Sequence, residues 1–82
     1  MILIMKPFNL EEAKNGKPVC TRCGNNVEII DFNYYKNRFK NIFGRVIYKN
    51  INRTALHTWN DAGFWWNDEY IKINLDLFMK ND

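Results

Sequence analysis

Glycine and asparagine cut this chain into runs that suit short strands and one short helix. Turn-forming residues recur at Gly16, at Gly24-Asn25-Asn26, at Asn33 to Asn37, at Asn50-Ile51-Asn52, at Asn60-Asp61-Ala62-Gly63 and at Asn67-Asp68. Both residue types tolerate the positive φ that tight turns require. The spacing predicts a helix after Asn9, where Asn9 is the cap and Glu12 stands three residues on, the capping-box interval. Phe8 and Ala13 occupy the staple positions, and Gly16 supplies the stop. Pro18 to Cys23 then reads as a strand, Gly24 to Asn26 as a tight turn and Val27 to Phe32 as the return strand. Phe39 to Lys49 is a β-rich run interrupted by Gly44, the place for a bulge or bend. Thr54 to Asn60 is a further strand, followed by a hairpin loop and a return that starts at Phe64-Trp65-Trp66. Ile71, Ile73, Leu75 and Leu77 alternate with Lys72, Asn74 and Asp76, a period of two that predicts the last strand. The expected fold is mainly β (α+β): a short N-terminal helix, then a five- or six-stranded antiparallel SH3-like barrel or curled sheet.

The chain has 82 residues, which sets the expectation of a single domain over 1–82 with a small core. Thirteen residues are aromatic, and large rings bury much apolar area per residue. The apolar start, Met1 to Met5, ends at Lys6-Pro7 and lacks the length and basic lead of a secretory signal. No stretch approaches the length of a spanning helix. A soluble, cytoplasmic protein is expected, and two cysteines in so short a chain fit a reducing compartment better than a disulfide framework. The charge is unevenly placed. Residues 32–60 hold Lys36, Arg38, Lys40, Arg45, Lys49 and Arg53 and no acid, whereas the last segment is net acidic. Such a centre suits an anionic partner, or a head-to-tail contact between copies.

Three constellations carry candidate chemistry. Cys20-Thr21-Arg22-Cys23-Gly24 has the shape of a zinc knuckle, yet structural zinc takes four ligands and no second pair is present. A redox pair would want a helix after Cys20, where Gly-Asn-Asn follows instead. The expectation is a small core residue and a turn residue, with no metal and no cofactor; a site shared between two copies is the alternative. For catalysis, His57 is the single imidazole, Ser is absent, and no carboxylate pair or phosphate loop stands out, so no enzyme activity is expected. The third is an aromatic and basic set. Arg22, Arg38, Arg45, Tyr48, Arg53, His57, Trp59, Trp65 and Trp66 are the candidate ligand-binding residues. Exposed rings stack bases and guanidinium groups hold phosphates. The plain alternative is that most of these rings are core.

Lys6 to Arg22, K-P-F-N-L-E-E-A-K-N-G-K-P-V-C-T-R, resembles the opening of short proteins common in Bacteroidetes phages, prophages and mobile elements. That family has a helix, a G-K-P-V-x-T-R-x-G segment, strands, and an L-D-L-F-M type tail, which Leu75-Asp76-Leu77-Phe78-Met79 matches. The layout is also similar to phage Thoeris anti-defence sponges, which assemble into oligomers and sequester nucleotide-derived immune signals without cleaving them. The resemblance implies a non-enzymatic phage protein in the host bacterial cytoplasm. It would form a homo-oligomer and bind an anionic nucleotide-like ligand. A nucleic-acid-binding module and a protein–protein inhibitor of a host defence effector are the rivals. No membrane partner is expected.

Overall fold

The structure, a computed structural model, describes residues 5–36, 40–65 and 73–80. Among these residues six strands and one helix appear in the order β1 (Lys6–Pro7), α1 (Leu10–Lys14), β2 (Val19–Thr21), β3 (Asn26–Asp31), β4 (Ile42–Tyr48), β5 (Arg53–Trp59) and β6 (Leu77–Met79). The strands form one antiparallel sheet in the order β1-β6-β2-β3-β4-β5, curled into a half-barrel. The expected mainly-β fold with a short N-terminal helix is what the chain adopts.

The helix forms where its cap is. Asn9 Oδ1 accepts the Glu12 backbone N–H at 3.0 Å, which satisfies one of the donors a helix start leaves open. Gly16, at φ +88°, ends it, and the Lys17 N–H returns to the Glu12 carbonyl. At five residues the helix depends on packing, and its buried Ala13 joins the core.

The first hairpin turns earlier than its residue pattern predicts. β2 stops at Thr21, and Arg22 and Cys23 lie in the turn rather than in the strand. Thr21 is fully buried and sets that turn: its carbonyl accepts from Gly24 N, its N–H donates to the Asn25 carbonyl, and its hydroxyl accepts from Asn25 N. Gly24 takes φ +86°.

The expected irregularity at Gly44 is present, with the extra residue on the opposite strand. The β3–β4 register runs Ile29↔Gly44 and then Asp31↔Phe43, so the bulge sits at Ile30. Gly44 is required by contact. A Cβ there would lie 2.8 Å from the Glu28 carbonyl oxygen and 3.3 Å from a ring carbon of Trp59. β4 and β5 pair without interruption over seven positions and are joined by a turn in which Asn52 adopts φ +50°.

The C-terminal part corrects the sequence reading. The alternation from Ile71 to Leu77 is not one strand. Its first two residues lie outside the described segments, Ile73 to Asp76 forms a turn closed by Asp76 N donating to Ile73 O, and β6 starts at Leu77. Phe64 and Trp65 are not in a strand; they follow an Asn60–Gly63 loop held by Asn60 Oδ1, which accepts from Ala62 N and Phe64 N. β6 instead lies between β1 and β2, with Met79 opposite both Lys6 and Val19. The core is Ala13, Val19, Ile42, Val46, Trp59, Leu77 and Met79.

Candidate functional site

The β4–β5 register builds the site. Tyr48 faces Arg53, Val46 faces Ala55, Gly44 faces His57 and Ile42 faces Trp59. Directly opposed residues share a face of the sheet, so Arg53, Ala55, His57 and Trp59 lie on the side of buried Val46 and Ile42. Burial deepens along β5, from exposed Arg53 through half-buried His57 to fully buried Trp59. The Trp59 indole N–H donates to the Leu75 carbonyl at 2.7 Å. Trp59 is therefore a core residue, and its ring has no face open for stacking.

His57 stands at the mouth of this face. Its Nδ1 accepts the Trp65 indole N–H at 3.3 Å, and the two rings meet edge to face with centroids 6.3 Å apart. Burial pushes the His57 imidazole below its ordinary value, so the ring is neutral at physiological pH with its proton on Nε2. Trp65 is half-buried and held at a second point, where its backbone N–H donates to Asp76 Oδ1 at 3.0 Å. Lys40 Nζ lies 5.9 Å from the Trp65 ring centroid, within cation–π range. A neutral imidazole, an indole edge and an ammonium thus lie close together.

Asp76 is the residue that sequence reasoning missed. It is 1% exposed, and its Oδ2 accepts from Ile73 N and from Arg22 Nη2 at 3.0 Å. Arg22 also donates from Nε to the Ile73 carbonyl and lies over Phe78. Within the apparent alternation Asp76 reads as a solvent-facing polar partner; its place in a turn just ahead of the strand is the signal that it closes the backbone instead.

Residues 5–80 match the model of the protein family described as Haemophilus phage HP1 protein YO09. The chain belongs to this phage family. The match supports the phage protein implied by the residues around Lys6 to Arg22. No curated protein and no solved structure matches the chain.

In this YO09-family chain the nine expected ligand residues are dispersed. His57, Trp59 and Trp65 come together. Tyr48 packs against the core beside exposed Arg53, further along the same face. Arg45 points from the opposite face and lies 3.5 Å from Glu28, both exposed, a pair of small energetic weight. Arg22 is engaged with Asp76. Arg38 and Trp66 lie outside the described residues. On the outer face Tyr34 stacks on Phe43 with centroids 4.4 Å apart, and Tyr35 meets Tyr34 edge-on at 4.8 Å. No helix among the described residues is long and apolar enough to cross a membrane.

Proposed function

We propose that this phage protein binds an anionic, nucleotide-like ligand without turning it over, and that by holding a host immune signal it blunts defence. The observation that carries the reading is the His57–Trp65 pair with the Lys40 ammonium over the indole. An indole offers a surface to a base and an ammonium offers charge to a phosphate, while the neutral imidazole keeps Nε2–H as a donor. The acid-free segment 32–60 adds positive potential on approach. Copies are expected to assemble into a homo-oligomer, which light scattering reads directly.

Isothermal titration against cyclic dinucleotides and ADP-ribose derivatives tests the reading. Stacking on one aromatic ring is worth about 1–3 kcal/mol, so Trp65→Ala should weaken binding by about tenfold or more, and Lys40→Glu should weaken it in step with ligand charge. No binding by any of these ligands, together with no rescue of phage in defended cells, would sink the proposal. A second reading, a nucleic-acid-binding module, draws on the exposed Tyr34–Tyr35 pair. It requires a salt-dependent gel shift, and silence at low salt removes it.

A further inference from the structure

The turn between β2 and β3 brings together sulfurs that lie far apart in the sequence. Cys20 and Cys23 line one pocket of about 150 Å³, and Met5 lines it with them. The Cys20 thiol points at the Met5 thioether, with 3.6 Å between the sulfurs. Cys20 is buried in the middle of β2 and Cys23 is exposed in the turn, its thiol 3.8 Å from the Asn74 carbonyl oxygen; both are free thiols. The remaining charge in the lining is cationic, from Arg22, Lys49 and Lys80, and the lining includes no carboxylate. Arg22 is occupied by Asp76, which leaves Lys49 and Lys80 as the other cations of the lining, with Lys80 Nζ donating to Asn26 Oδ1 at 2.8 Å.

We propose that Met5, Cys20 and Cys23 form a site for one soft monovalent metal ion of the copper(I) type. The donor set decides the class of ion. Two thiolates and a thioether are soft ligands that select copper(I), whereas zinc in a structural site takes four nitrogen or thiolate ligands. Among the described residues no three His, Cys, Asp or Glu side chains gather to make such a set. Charge selects in the same direction. A monovalent ion on two thiolates leaves one negative charge, which the two lysines stabilise; a divalent ion leaves none. Binding releases the two thiol protons to solvent and moves no electrons. Because Met5 comes from the same chain, each copy holds the three sulfurs without a partner.

Titrating the full chain, reduced and under nitrogen, with copper(I) against a chromophoric competitor tests this. The expected result is one ion per chain, with X-ray absorption showing only sulfur as nearest neighbours. Cys23→Ser, at an exposed turn position, should keep the fold by circular dichroism and abolish retention. Met5→Leu should remove one sulfur neighbour and weaken binding by more than the roughly 10- to 100-fold that loss of an outer-shell partner costs. Failure to retain copper(I) against the competitor would overturn the assignment, as would unchanged retention in Cys23→Ser, or tighter binding of zinc than of copper(I).

Discussion

Replacing Asp76 with alanine should remove a large part of the stability of this domain. The carboxylate is 1% exposed and accepts three hydrogen bonds of 3.0–3.1 Å, from Trp65 N, Ile73 N and Arg22 Nη2. Alanine strands two backbone N–H groups, each costing about 1–3 kcal/mol when left unpaired inside. It also removes the anion from Arg22, but the Arg22 side chain is 31% exposed and can turn to water, so that part is discounted. The two backbone groups together come to about 2–6 kcal/mol. A chain of 82 residues holds about 4–12 kcal/mol in total, so the variant stands close to unfolding. Urea titration followed by tryptophan fluorescence gives the value. Arg22→Met should cost less than Asp76→Ala, because the remaining carboxylate keeps its two backbone donors. The double variant should show coupling of about 0.5–3 kcal/mol. A loss below about 1 kcal/mol in Asp76→Ala, at an unchanged slope against urea, would refute the view that this carboxylate closes the backbone around it.

Gly44→Ala places a methyl group 2.8 Å from the Glu28 carbonyl oxygen, a backbone atom that cannot step aside; the expected loss is about 1–3 kcal/mol by thermal unfolding. Asn9→Ala removes the Asn9–Glu12 cap and should cost about 1 kcal/mol in the same assay. His57 has a folded-state value below its unfolded one because of burial. Its contribution is therefore present above the unfolded value of about 6.5 and is lost as pH falls through the folded value, levelling off once both states are protonated. Protonation of Nδ1 also ends the bond from Trp65, so tryptophan fluorescence and the imidazole NMR shift should titrate together, and the pH dependence should flatten in His57→Gln.

The elements legible from residue pattern are those whose determinants are local. The Asn9 cap, the Gly16 stop and the turn at Asn50–Asn52 each act through their own backbone, and each stands where the residues place it. The strands β3, β4 and β5 follow from β-rich runs between turns. The misreadings arise where a distant group outweighs the local pattern. Thr21 shortens β2 because its hydroxyl and backbone are more useful closing the turn with Gly24 and Asn25 than extending a ladder. The alternation ending at Leu77 has the period of a strand, but Asp76 bends its backbone to reach Trp65 and Arg22, which the period cannot report. Trp59 and Trp65 look alike as aromatic residues. Their different fates depend on which carbonyl or imidazole each indole N–H meets across the fold. β1 pairs with β6 from the other end of the chain, and so leaves no local trace beyond Lys6-Pro7.

The same carboxylate ties together two surfaces that are distant in sequence. Asp76 Oδ1 holds the backbone of Trp65, to which the proposed function gives the ligand-stacking role, and Oδ2 holds Arg22, whose side chain lines the sulfur pocket. A ligand at Trp65 never needs to touch Asp76, yet the position of the indole depends on it. Asp76→Asn, read at a temperature where the variant is folded, keeps the size of the side chain. It turns one acceptor into a donor facing other donors, so at least one of the three bonds must break, and the orientation that keeps the two bonds to Oδ2 loses the one from Trp65. Nucleotide affinity should then fall by about tenfold, on the scale of a displaced stacking ring. Cys23→Ser, which disturbs the sulfur pocket and leaves Asp76 intact, should leave that affinity unchanged. Wild-type affinity in Asp76→Asn would mean that the His57–Trp65 bond alone is enough to place the indole.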